Sequence, residues 1–231
     1  LPIAIVKGEG AYFYDETGKR YIDAIASWWV NIHGHCHPYL ATKISEQLQR
    51  LEHAIFSGFT HEPAVQLAER LLKRLPSNQS KIFYSDNGST AVEVALKMAF
   101  QYWSNQSIEK VKVIAFENAY HGDTFGGMSV GARNAFNMPF SKLLFDVEHI
   151  PVPVKGKEME SSTALKRALE GNDVGAFIFE PLVQGAGGMV MYSPGILDEL
   201  ISLCNAKKVL CIADEVMTGF GRTGKFFASD Y

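Results

Sequence analysis

Apolar positions along the chain change period several times, and each change marks an element. Over residues 39–51, Leu40, Ile44, Leu48 and Leu51 recur at helical spacing. Over 63–75, Val65, Leu67, Ala68, Leu71, Leu72 and Leu75 do the same. A third helix is predicted over 91–103, where Val92, Ala95, Leu96, Ala99, Phe100 and Trp103 form one stripe. Upstream, residues 8–23 read as a hairpin whose turn, 15–18, separates two strand-like runs. Gly34 and Pro38 punctuate a loop over 28–38.

Short apolar runs alternate with these helices, and each leads into a polar or glycine-rich loop. Residues 81–85 lead into Asp86-Asn87-Gly88-Ser89-Thr90, and 111–116 into Glu117 and the stretch Tyr120-His121-Gly122-Asp123. Residues 174–179 lead into Glu180-Pro181, and 209–213 into Asp214-Glu215. Strands alternating with helices predict a mostly parallel α/β sheet. Ligands sit outside the carboxyl ends of the strands in such sheets, and these four polar clusters all fall there.

Composition narrows the function classes. The 231 residues are 47% hydrophobic and 20% charged, an ordinary globular balance, and the net charge of −3 offers no basic footprint for nucleic acid. No apolar run approaches the roughly 20 residues of a membrane helix. The opening Leu1-Pro2-Ile3-Ala4-Ile5-Val6-Lys7 resembles neither a signal nor a transit peptide. Cys36, Cys204 and Cys211 read as reduced thiols of a cytosolic protein. The chain opens inside a hairpin pattern and stops at Asp230-Tyr231 without a closing helix, so it is expected to be part of a longer protein, cut at both ends.

Each polar cluster has a plain structural explanation beside a chemical one. Asp214 sits where a buried strand should end, and a carboxylate there is costly unless a cation meets it; a protonated pyridine nitrogen would serve. Asn87-Gly88-Ser89-Thr90 opens the third helix, and its free N–H groups suit a phosphate, although a simple N-cap uses the same residues. It lacks the lysine of a Walker loop. Tyr120 can lie over a planar cofactor, or Gly122-Asp123 can be a plain turn. Glu180 before Pro181 is either a solvated strand end or a carboxylate near a ligand. His33, His35 and His37 alternate around Cys36, but no second ligand group accompanies them, so no metal is expected. Gly219, Gly221 and Gly224 fit G-x-G-x-x-G, but two acidic residues precede them and no helix pattern follows, which favours a flexible loop over a dinucleotide site.

Together these segments resemble the class III, fold type I aminotransferases that use pyridoxal 5'-phosphate (PLP). The likeness rests on Gly88-Ser89-Thr90 before Ala91-Val92-Glu93-Val94-Ala95, on Tyr120-His121-Gly122, on Glu180-Pro181 with Gln184-Gly185, and on Asp214-Glu215-Val216-Met217-Thr218-Gly219-Phe220-Gly221-Arg222-Thr223-Gly224. It covers essentially the whole chain. Ser27-Trp28-Trp29, Ile32-His33-Gly34, His37-Pro38, the run from Tyr120 to Val130 and the run from Glu180 to Met191 narrow it to the biotin-synthesis branch.

The resemblance implies a mostly parallel sheet with helices on both faces. Residues 1–30 would be the N-terminal part of a small domain, and 31–231 an incomplete large PLP-binding domain. Gly88 and Ser89 would hold the cofactor phosphate, Tyr120 would stack on the ring, Val216 would pack on its other face, Asp214 would pair with the ring nitrogen, and Glu180 would lie near the ring. Trp28, Tyr120 and Asp123 would meet substrate. S-adenosylmethionine would be the amino donor and 8-amino-7-oxononanoate the acceptor, in a cytoplasmic homodimer. The lysine that anchors the cofactor in the family is expected beyond Tyr231, since Lys225 lies too close to Asp214. Ornithine, acetylornithine and 4-aminobutyrate aminotransferases are sister possibilities. A PLP-binding chain without catalysis and a dinucleotide-dependent oxidoreductase are the other two.

Overall fold

The structure, a computed structural model, describes residues 2–231. It contains strands β1 (Ile5–Glu9), β2 (Tyr12–Asp15) and β3 (Arg20–Ile22), then helices α1 (Pro38–Leu48), α2 (Glu62–Leu72) and α3 (Gly88–Asn105). Strand β4 (Lys112–Phe116), helix α4 (Phe125–Val130), strand β5 (Val147–Ile150) and helix α5 (Glu158–Ala168) follow. The chain continues through β6 (Val174–Phe179), β7 (Val183–Gln184), β8 (Val190–Met191), α6 (Pro194–Ala206) and β9 (Leu210–Ala213). Contacts divide it into two compact units, 1–83 and 84–231.

In the first unit β1, β2 and β3 form an antiparallel sheet. The expected turn is built on Asp15, whose Oδ1 accepts hydrogen bonds from Thr17 N, Thr17 Oγ1 and Lys19 N at 2.9, 2.7 and 3.0 Å. Its Oδ2 accepts from Tyr21 Oη at 2.8 Å. These bonds, Thr17's hydroxyl foremost and Tyr21's next, hold the Asp15 carboxyl down at about 2. Helices α1 and α2 match the two predicted amphipathic stretches, each beginning with a proline in its first turn. The stripe of α1 is not buried, since Leu40, Ile44 and Leu48 are all exposed.

The second unit is a parallel sheet in the order β5-β4-β6-β9, with β7 and β8 as a separate antiparallel pair. Central strand β6 is buried along its whole length, which is why Val174-Gly175-Ala176-Phe177-Ile178-Phe179 reads as a continuous apolar run. Alternation splits the core in two. Ile114, Phe116, Phe177 and Phe179 pack with Leu165 of α5 and Leu197 and Leu200 of α6. Val113, Ala115, Ala176 and Ile178 pack with Val92, Leu96 and Ala99 of α3 and Val130 of α4. Helices therefore cover both faces, and each large side chain buried this way contributes roughly 1.5–3 kcal/mol. No helix among the described residues is long and apolar enough to cross a membrane.

The expected strand at 81–85 is corrected. Among the described residues that segment enters no ladder, and Phe83 is 65% exposed. An apolar run becomes a strand only when a neighbour accepts its backbone hydrogen bonds, and none of the four parallel strands does so.

Candidate active site

Helix α3 begins three residues earlier than its apolar stripe suggests. Asn87 Oδ1 accepts from Thr90 N at 3.0 Å and Thr90 Oγ1 accepts from Asn87 N at 3.1 Å, a reciprocal capping box. This cap satisfies the third N–H of the helix and leaves the N–H groups of Gly88 and Ser89 without a partner among the described residues. The helix is thus capped and still presents free donors at the positive end of its dipole.

The end of β9 meets this turn. A Cβ on Gly88 would lie 2.8 Å from Val216 Cγ2, so only glycine lets the two segments approach this closely. Asp214 precedes Val216 and turns inward. Its Oδ2 accepts from His121 Nδ1 at 2.8 Å, and its Oδ1 accepts from Val216 N at 3.1 Å. The His121 side chain is 0% exposed and that of Asp214 6%. With Nδ1 donating, Nε2 is a buried nitrogen that has no partner among the described residues. The buried Asp214 carboxyl thus has a hydrogen-bond partner inside the chain, the His121 imidazole.

The loop after β4 crosses the first turn of α3. Gly122 has φ +100°, and a Cβ there would fall 2.1 Å from Ser89 Oγ. Asp123 N donates to Ser89 Oγ at 3.3 Å. Tyr120 Oη donates to Asp123 Oδ2 at 2.9 Å, and partial burial, reinforced by that bond, pushes the phenol up to about 12. Tyr120 N donates to Glu180 Oε1 at 3.1 Å, and Gly185 N to Glu180 Oε2 at 2.8 Å. Glu180 is buried, which raises its carboxyl above the usual range although both bonds oppose the rise. Its carboxyl ties two loops together through their backbones, and its carbonyl accepts from the hydroxyl of Tyr192.

Gly88, Ser89, Tyr120, Asp123, Glu180, Asp214 and Val216 therefore form one linked cluster at the carboxyl ends of β4, β6 and β9. Trp28 lies in the other unit, 72% exposed and at φ +57°. His35 pairs with Asp23 at 2.8 Å, while His33 and His37 make an edge-on ring contact at 6.2 Å. Gly219, Gly221 and Gly224 lie in turns without a following α-helix, so no helix N-terminus there can take a pyrophosphate. Glu215 instead accepts from Ala228 N and Ser229 N at 2.7 and 2.9 Å, fastening the segment after these glycines.

Comparison with known proteins places the chain. The aminotransferase class-III family model matches residues 1–231. The chain belongs to the class III aminotransferases. The adenosylmethionine-8-amino-7-oxononanoate aminotransferase of Synechococcus elongatus is 53% identical over 98% of the chain and 55% of that protein. The enzyme of the same name from Geobacter sulfurreducens is 45% identical over 98% of the chain and 53% of its own length. The chain thus spans about half the length of these class III relatives. Among solved structures, the enzyme of that name from Methanocaldococcus jannaschii superposes with a TM-score of 0.94 at 36% identity, covering all of this chain and 53% of that one. A PLP-bound amine transaminase from an uncultivated Pseudomonas species gives 0.93 at 32% identity, over 100% and 55% of the two chains. The fold is that of the fold type I transaminases.

His121 is the residue that sequence reasoning passed over, as a turn neighbour of Gly122. Its partner Asp214 is 93 positions away, and no periodicity links the two. The adjacency of Tyr120, His121 and Gly122 behind a buried strand was the one available signal.

Proposed function

We propose that the protein carrying this chain transfers an amino group from S-adenosylmethionine to 8-amino-7-oxononanoate, giving 7,8-diaminononanoate in biotin synthesis, with PLP as cofactor. The observation that carries the cofactor is the buried Asp214–His121 pair linked through Val216 to Gly88 and the free donors of α3. The names of the Synechococcus and Geobacter relatives support the substrates.

The residues fit the cofactor. Gly88 and Ser89 would bind the phosphate through backbone N–H groups, the glycine letting it approach. Asp214, held from behind by His121, would accept a hydrogen bond from the ring nitrogen and keep a proton there. Held in this way, the bound cofactor would supply an electron sink for the reacting carbon. Tyr120 and Val216, 42% and 58% exposed, offer an aromatic and an aliphatic face for the ring. Glu180 would sit near the ring as the tie between the Tyr120 and Gly185 loops. Asp123, joined to the Tyr120 hydroxyl, and Trp28 would contact substrate. The lysine that anchors PLP would come from sequence outside residues 1–231; Lys225 donates to the Asp230 carbonyl and lies over the Tyr231 ring. In the longer protein, 1–30 would belong to a small domain and 31–231 to the large one. A cytoplasmic homodimer completes the proposal, supported by three free thiols and the exposed apolar face of α1.

Turnover of 8-amino-7-oxononanoate with S-adenosylmethionine by the full-length protein is the test. Saturable turnover dependent on PLP is expected. Activity only with ornithine, acetylornithine or 4-aminobutyrate would move the protein to a sister enzyme. PLP binding without transfer to any acceptor would make it a non-catalytic binder.

A further inference from the structure

Glu93 lies one turn below Ser89 on α3, and residues four apart share a helix face. Both reach the loop that carries Tyr120 and Asp123. Ser89 Oγ accepts from Asp123 N at 3.3 Å, and Glu93 Oε2 accepts from Thr124 Oγ1 at 2.7 Å. A hydroxyl has one hydrogen and two lone pairs. Thr124 directs the hydrogen chiefly to Glu93, with Ser89 O at 3.5 Å, and accepts from Gly127 N at 3.3 Å, which caps α4. Glu93 Oε2 also lies close against Gly126, where a Cβ would fall 2.3 Å from it and the carboxyl would have to move. The carboxyl is half-buried and stays outside the Asp214–His121 pair.

We infer that Glu93 and Thr124 form a latch that sets the height of the 120–124 loop over the first turn of α3, and so positions Tyr120 and the Ser89 hydroxyl for PLP. The latch rests on the cofactor assignment above. Glu93 touches no cofactor and acts through the loop. Without it, one hydrogen bond, Asp123 N to Ser89 Oγ, would be the main polar tie between the loop and the helix turn that receives the phosphate.

The experiment uses the full-length protein, with PLP binding followed by absorbance and by the visible circular dichroism of the bound cofactor. Hydrogen exchange of the Asp123 and Gly127 amides is measured without PLP. Thr124→Val and Glu93→Ala should each weaken PLP binding about tenfold, the size of one lost hydrogen bond. Both should diminish the dichroic band and speed exchange of the two amides. The double variant should be no weaker than either single one, and Glu93→Gln, which keeps an acceptor, should recover most of the affinity. If Glu93→Ala fails to fold, the near-isosteric Thr124→Val decides alone. Wild-type binding, dichroism and exchange in Thr124→Val would overturn the latch while leaving the cofactor assignment intact. A wild-type protein that does not bind PLP would overturn the cofactor assignment and the latch with it.

Discussion

At the scale of single residues, two glycines and one buried pair determine what this site can do. Gly122 is the more constrained glycine: its φ of +100° disfavours any side chain, and the hydroxyl it would strike belongs to Ser89. Gly122→Ala must distort the backbone, at a cost of order 1–3 kcal/mol, or push Ser89 away from the end of α3. PLP affinity should fall at least about tenfold, each 1.4 kcal/mol being a factor of ten, while the thermal midpoint drops only a few degrees. A spectrophotometric titration giving wild-type affinity would show that the loop does not need to approach α3. That Gly88 and Ser89 open a helix was legible because helix entry has local rules. The Asp214–His121 pair was half legible: a carboxylate at the end of an apolar run announces a missing partner, but a sequence does not say which of seven histidines bonds to it.

At the scale of elements, what could be read was what depends on neighbours in sequence. Helix α3 follows from its stripe and its Asn87–Thr90 box, and β4, β6 and β9 from bounded apolar runs. Strand β5 was not read, because Val147-Glu148-His149-Ile150 is a short, partly covered edge strand with polar residues inside it. The run 81–85 failed in the opposite way: it has strand composition and no ladder partner. The hairpin turn is local chemistry throughout, and this makes it testable by pH. With its folded value depressed from 3.8 to about 2, Asp15 stabilises β2–β3 above the unfolded value. That contribution disappears as pH falls from about 4 toward 2. A carbon-detected NMR titration should place Asp15 near 2, and Thr17→Ala should shift it upward. A midpoint near 4 in the parent protein would mean that the carboxyl is not held by Thr17 and Tyr21.

At the scale of the whole molecule, the two units differ in how well they bury their own apolar residues. In 84–231, the two cores on either side of the parallel sheet contain fully enclosed side chains such as Phe116, Phe177 and Leu200. In 1–83, Ala64 is the one buried hydrophobic residue among those described, and α1 exposes Tyr39, Leu40, Ile44 and Leu48. A helix with an apolar stripe in contact with water is unstable by itself, since most helical stability in proteins comes from packing such a face. The stripe needs a cover, and the proposed homodimer would supply one. Charge placed on the stripe then separates two possibilities. If a second copy covers it, Ile44→Asp should convert the full-length dimer to monomer, with unfolding of 84–231 unchanged. If the same polypeptide covers it, Ile44→Asp should lower the thermal midpoint and leave the dimer intact. Sedimentation velocity and thermal unfolding on one preparation distinguish the outcomes, and a dimer of unchanged stability would remove α1 from both roles.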